Sequence, residues 1–150
     1  MKTERTPIKD LLVIHPQVHK DSRGNFFESW NKDLFKKITN GLDFVQDNQS
    51  YSKKNVLRGI HLQMKNTQGK YISVIKGKIF DVAVDLRKKS KTFGQYYSTI
   101  LSEDNSKSLF IPEGFGHGFY SLAKENYIIY SCTKYRDCLL YTSDAADDRY

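Results

Sequence analysis

Along this chain, apolar and polar residues alternate with a period of two far more often than they recur every three or four positions. The segments LLVI (11–14), NFFESW (25–30), FVQDNQSYS (44–52), NVLRGIHL (55–62), YISVIKG (71–77), KIFDVAVDL (78–86), QYYSTILS (95–102), SLFIPEG (108–114), HGFYSLA (117–123) and YIIYSCTKY (127–135) are short and rich in β-branched and aromatic residues. Gly, Asn, Asp and Ser punctuate them. Successive side chains of a strand point to opposite faces, so each segment offers a core one apolar face. One stretch, NKDLFKKI (31–38), has helical spacing instead, with Leu34, Phe35 and Ile38 on one side and lysines on the other. Strands at this spacing with one short helix predict an all-β sandwich or barrel. The turn KGK (76–78) reads as a tight hairpin, because glycine tolerates the positive φ such turns need.

At 150 residues the chain fits one domain with a core of its own. No apolar run approaches the roughly 18 to 20 residues that span a bilayer. The opening MKTERTPIKD carries no apolar stretch of the signal-peptide kind, which predicts a cytoplasmic protein with no membrane partner. Two cysteines, Cys132 and Cys138, are too few for a disulfide framework and lack zinc-ligand spacing, so Cys132 reads as a buried structural thiol. The net charge of +7 permits nucleic acid, headgroups or a small anion as partner. The lysine pairs at 36–37, 53–54 and 88–89 read as solvated surface, and the ten tyrosines do not alternate with basic residues as a stacking platform requires. Nucleic acid is therefore not the expected partner.

Four stretches concentrate groups able to do chemistry. In DSRGNFFES (21–29), Arg23 sits on a turn entering a strand, either as an ordinary exposed residue or as a guanidinium fork for phosphate oxygens. In FVQDNQSYS, Gln46 and Asn48 share parity and hence a face, which is either a wet edge or a wall awaiting a polar ligand. In RGIHLQMKNTQGK (58–70), Gly59, His61 and Gln63 share a face, while Arg58 joins them only if a bulge at Gly59 re-aims it. A hairpin through 62–69 would return Lys70 beside His61.

The fourth stretch, FIPEGFGHGFYSL (110–122), contains Pro112-Glu113-Gly114-Phe115-Gly116-His117, which matches the P-x-G-x-x-H signature of the second cupin motif. The glycines and proline suit the tight turn of a double-stranded β-helix, or jelly roll. In metal cupins the first motif supplies H-x-H, but here it reads His61-Leu62-Gln63. Two isolated histidines fall short of the three or four ligands an iron or zinc site wants, so no metal and no cofactor are expected.

Taken in order, D-x-R-G-x-F-F-E-S, Q-D-N-x-S-x-S, V-L-R-G-I-H-x-Q, Q-G-K, F-D-V-A-V-D-L-R, T-F-G, I-P-E-G-F-x-H-G-F and Y-x-x-T-x-Y resemble the dTDP-4-dehydrorhamnose 3,5-epimerases, from about residue 8 to Asp137. The resemblance implies a cupin that inverts C3 and C5 of dTDP-4-dehydro-6-deoxy-D-glucose in dTDP-L-rhamnose formation, without a cofactor, as a homodimer. It implies that His61 abstracts the protons α to the 4-keto group, that Lys70 and Arg58 stabilise the enolate oxygen, and that Tyr130 reprotonates the opposite face. Asp81 and His117 would line the pocket and Arg23 would grip the diphosphate. Phe26, Glu28, Gln46 and Asn48 would contact the nucleotide, with Tyr135 near the thymine. These residue types suit the chemistry. Charge develops on the ketone oxygen in the transition state, so cations aimed there act on the transition state more than on the ground state. A relative inverting only C3 or only C5, and a non-catalytic sugar-nucleotide binder, share these features.

Past Asp137 the text changes abruptly. CLLYTSDAADDRY (138–150) is small and acidic, has no β pattern beyond Tyr141, and reads like a translated sequencing-library adapter. The expectation is an epimerase domain over 1–137, its C-terminal part lying beyond this chain, followed by a non-native tail over 138–150. The resemblance also places the aspartate that orients the base histidine in that missing part.

Overall fold

The computed structural model describes residues 1–136; the tail set apart above lies outside the described residues. The described chain forms β1 (Lys2–Arg5), β2 (Leu12–His15), β3 (His19–Asp21), β4 (Gly24–Phe26), α1 (Lys32–Ile38), β5 (Gln46–Lys53), β6 (Leu57–His61), β7 (Lys70–Lys76), β8 (Lys78–Asp85), β9 (Tyr96–Ser102), β10 (Ser108–Ile111), β11 (Phe115–Ser121) and β12 (Glu125–Cys132). Antiparallel pairing builds a six-stranded sheet in the order β1-β2-β10-β7-β12-β5 and a four-stranded sheet in the order β6-β11-β8-β9. The hairpin β3-β4 forms a separate two-stranded sheet.

Period-two patterning decides what each sheet buries. Ile79, Ala83 and Leu101 of the smaller sheet meet Ile72, Val74, Leu109 and Ile128 of the larger in one apolar core, each at most 8 % exposed. Burying such a side chain contributes roughly 1.5–3 kcal/mol before the entropy of ordering it. A second cluster, Ile14, Phe35, Tyr71 and Phe110, lies on the other face of the larger sheet. There α1 docks through Phe35, whose ring meets Tyr71 edge-to-face at 4.6 Å. Asn31 caps the helix by accepting from the Leu34 N–H at 3.0 Å, and Asp33 and Lys36-Lys37 complement its dipole.

Two expected hairpins are corrected by the topology. Gly77 does not fold β7 back on β8: β7 belongs to the larger sheet and β8 to the smaller, so the turn carries the chain across the sandwich. Gly77 has φ +92°, and a Cβ there would lie 2.2 Å from the Glu125 carbonyl oxygen. Its N–H donates to Glu103 Oε1, just past β9, and the next N–H to Asn126 Oδ1 on β12, contacts that replace hairpin pairing. Residues 62–69 likewise cross between sheets, so His61 and Lys70 occupy opposite walls rather than adjacent strands of one hairpin.

Candidate functional site

The space between the sheets is apolar over one part and polar over another. On the larger sheet, β5 alternates in burial so that Gln46, Asn48, Ser50 and Ser52 turn inward. Tyr130 and Cys132 of β12 and Lys70 of β7 share that wall, with Lys70 directly opposite Cys132 and Tyr130 opposite Asn48. On the smaller sheet the inward residues are Arg58, His61, Asp81 and His117. Their common orientation depends on a bulge. His117 pairs with His61 and Phe119 with Arg58, so three steps along β6 match two along β11. The extra residue restores Arg58 to the face of His61, the re-aiming that the sequence required of Gly59. Gly59 has φ +99°, and a Cβ there would fall 2.6 Å from the His117 carbonyl oxygen and 2.7 Å from Gly118 Cα, so only glycine fits.

Hydrogen bonds tie the polar residues into one set. His117 Nε2 lies 2.8 Å from Asp81 Oδ2, both residues being buried. Asp81 Oδ1 is also buried and has no hydrogen-bond partner among the described residues. The His117 ring meets Tyr130 edge-to-face at 6.3 Å, which joins the two walls. Tyr130 Oη and Ser50 Oγ are 2.7 Å apart. Arg58 Nε donates to Ser52 Oγ at 2.9 Å, and its Nη2 donates to the Tyr51 carbonyl at 3.2 Å. Gln46 Nε2 donates to Asn48 Oδ1 at 2.8 Å, and Asn48 Nδ2 reaches Cys132 Sγ at 3.7 Å.

Burial shifts the proton affinities of this set. Desolvation pushes the Tyr130 phenol up to about 12, against the opposing pull of the Ser50 hydrogen bond and the Arg58 charge. Desolvation also lowers Lys70 below an ordinary lysine, although Cys132 and Asp81 favour its charge. The Cys132 thiol is pushed up by its burial, partly offset by Lys70. A phenol that holds its proton and an ammonium that holds its proton less tightly than usual therefore share one wall.

The structure thus gathers His61, Lys70, Tyr130, Arg58, Asp81, His117, Gln46 and Asn48. It does not gather the rest of the expected set. Arg23 occupies the exposed turn of the β3-β4 hairpin, its guanidinium held by Asp21 at 2.6 Å. Phe26 is 74 % exposed on the same hairpin, and Glu28 accepts from Asn31 Nδ2 at 3.2 Å. Tyr135 is exposed, with its carbonyl 3.5 Å from Gln63 Nε2. Sequence reasoning passed over Ser50, Ser52 and Cys132 as wall residues. Parity held the signal, because 46, 48, 50 and 52 fall on one face of one strand.

Fold and site together define a cupin of the isomerase kind, with imidazole, phenol, lysine and arginine side chains on the facing walls of a jelly roll. The family model for dTDP-4-dehydrorhamnose 3,5-epimerase matches residues 5–146. The dTDP-4-dehydrorhamnose 3,5-epimerase of Salmonella typhimurium is 50% identical over 133 residues, which span 87% of this chain and 73% of that protein. The dTDP-6-deoxy-D-glucose-3,5-epimerase of Legionella pneumophila Philadelphia 1, solved in complex with dTDP-4-keto-L-rhamnose, superimposes with a TM-score of 0.88 at 44% identity, covering 91% of this chain and 73% of that one. The Bacillus anthracis enzyme, solved with TDP and PPi bound, gives a TM-score of 0.88 at 40% identity, over 93% and 81% of the two chains. This chain belongs to the dTDP-4-dehydrorhamnose 3,5-epimerase family.

Proposed function

We propose that this chain converts dTDP-4-dehydro-6-deoxy-D-glucose to dTDP-4-dehydro-L-rhamnose by metal-free proton transfer, through an enolate, in dTDP-L-rhamnose biosynthesis. His61 takes the proton from C3 and from C5 in turn. The pair of electrons from each broken C–H bond moves into the ring, and negative charge collects on the C4 oxygen. Lys70 and Arg58 stabilise that oxygen, an interaction that strengthens as charge develops. Tyr130 then delivers a proton to the opposite face. Asp81 and His117 line the sugar pocket, Gln46 and Asn48 meet the nucleotide, and Tyr135 approaches the thymine.

The observation that carries this reading is the position of His117. It is the cross-strand partner of His61 on one wall and stands edge-to-face with Tyr130 on the other, so base and acid flank a common space. Arg23, Phe26 and Glu28 are assigned to the nucleotide as well. The Arg23–Asp21 pair is exposed, where solvent screens an ion pair, so a diphosphate can take the place of Asp21. A cytoplasmic homodimer completes the proposal.

Incubating the enzyme with substrate in deuterium oxide tests it. Deuterium is expected at C3 and C5 of the product, and His61→Ala is expected to abolish its incorporation. Absence of label from both carbons overturns the proposal, as does wild-type turnover by the alanine variant. Label at one carbon only identifies a mono-epimerase, and thymidine-diphosphate binding without exchange identifies a binder.

A further inference from the structure

Ser50 has no part in the chemistry above, yet its hydroxyl lies 2.7 Å from the oxygen of Tyr130 at a half-buried position. That is its only side-chain hydrogen bond among the described residues. Resting on the reading of Tyr130 as proton donor, we propose that Ser50 is its positioning residue. It donates to the phenol oxygen, so that the phenol proton points into the cavity, and it holds the phenolate that remains after transfer.

Each of the two oxygens carries one proton, and only one proton can lie between them. If Tyr130 donated, its proton would be committed to Ser50 and withheld from the sugar. With Ser50 as donor, the tyrosine proton is free for the reaction. In the transfer the Tyr130 O–H bond breaks and its electron pair stays on oxygen. The enolate double bond supplies the pair for the new C–H bond, the C4 carbonyl re-forms, and solvent water later returns a proton to the phenolate. A phenolate can only accept, so the bond from Ser50 turns from neutral to charge-assisted as the reaction proceeds. It therefore strengthens toward the transition state, as a catalytic interaction must. Burial makes this phenolate expensive to form, since it raises the phenol to about 12, and Ser50 and Arg58 are the groups that pull the other way. Two residues on, Ser52 on the same face takes the opposite part and accepts from Arg58 Nε at 2.9 Å. The S-x-S of β5 thus holds one acid and one cation from behind.

The test compares Ser50→Thr, which keeps the hydroxyl, with Ser50→Val, which replaces it by a methyl in nearly the same outline, and with Ser50→Ala. Loss of one hydrogen bond to a charged group predicts a kcat lower by about 10- to 100-fold in the Val and Ala variants, with KM little changed and Thr near wild type. In deuterium oxide those two variants should also label recovered substrate faster than they form product, because the His61 step persists. Equal turnover of Thr and Val overturns the proposal, and so does a loss confined to KM. Should neither β-branched variant fold, wild-type turnover by Ser50→Ala overturns it instead. Tyr130→Phe separates the two layers: full activity there removes the tyrosine reading, whereas an inactive Phe variant beside a fully active Ser50→Val removes only the role of Ser50.

Discussion

A lysine ammonium facing the inside of a sandwich is held there against its own solvation. Lys70 lies opposite the buried Cys132 on the inner wall, and desolvation lowers its proton affinity below that of an ordinary lysine. If its charge stabilises the enolate, activity must fall as pH rises through this lowered value. The alkaline limb of kcat/KM is thus expected below the roughly 10.4 of a free lysine. Tyr130 cannot supply that limb, because its phenol keeps its proton to about 12. Lys70→Arg should carry the limb beyond the accessible range, since a guanidinium stays charged, at a reduced rate from altered geometry. An alkaline limb at the same pH in the arginine variant would exclude Lys70 as its source. In that case the single residue would link burial, through protonation, to rate.

At the scale of elements, loops decide whether the walls hold their residues in place. Leaving β8, Asp85 is fully buried and accepts from Arg87, Ser90 and Thr92, while Arg87 also pairs with Asp10 and lies 4.7 Å over the Phe115 ring. This knot pins the turn from which β11 carries His117 into the cavity. Asp85→Asn would remove the charge that Arg87 faces and set an amide N–H against its N–H donors, and it should cost about 3 kcal/mol in denaturant unfolding. These partners hold the carboxyl well below the usual range. Its stabilisation is thus complete above the unfolded value of about 3.9 and is lost as pH falls toward the folded one. The gap between wild type and variant should accordingly be constant near neutrality and close in strong acid. A gap that widened in acid would refute this assignment.

Legibility in the sequence followed the same local physics. Period-two alternation revealed the shared face of Gln46 and Asn48 on β5, and it put His61 on one face of β6, and hence part of the wall. β1 (KTER) and β3 (HKD) escaped because they are exposed at every position, held by ladder bonds rather than by an apolar face. The turns at Gly77 and 62–69 were misjudged because a glycine signals a turn without saying which sheet the next strand joins. That choice belongs to long-range packing.

Across the whole molecule, the outer face of the four-stranded sheet is unlike the surface of a self-sufficient domain. Its rows run Tyr120–Phe80–Ile100, Gly118–Val82–Ser98 and Gly116–Val84–Tyr96 across β11, β8 and β9. Leu57 flanks Tyr120 at 59 % exposure, Ile60 lies over the two glycines at 47 %, and Phe80 and Tyr96 are 40 % and 69 % exposed. A contiguous apolar face of this kind marks an association surface. Because the face is nearly without charge, a second copy turned by a two-fold axis matches it as well as any partner could, which favours the proposed homodimer. The consequence reaches the chemistry. The same strands carry Arg58, His61, Asp81 and His117 on their inner faces, so a second copy packed outside the sheet would stiffen the wall inside it. Val82→Glu, central to the outer face, should convert a sedimenting dimer to monomer at micromolar concentration and lower kcat with it. A wild-type chain that sediments as a monomer at every concentration rejects the dimer, and a monomeric Val82→Glu protein with undiminished kcat separates assembly from catalysis.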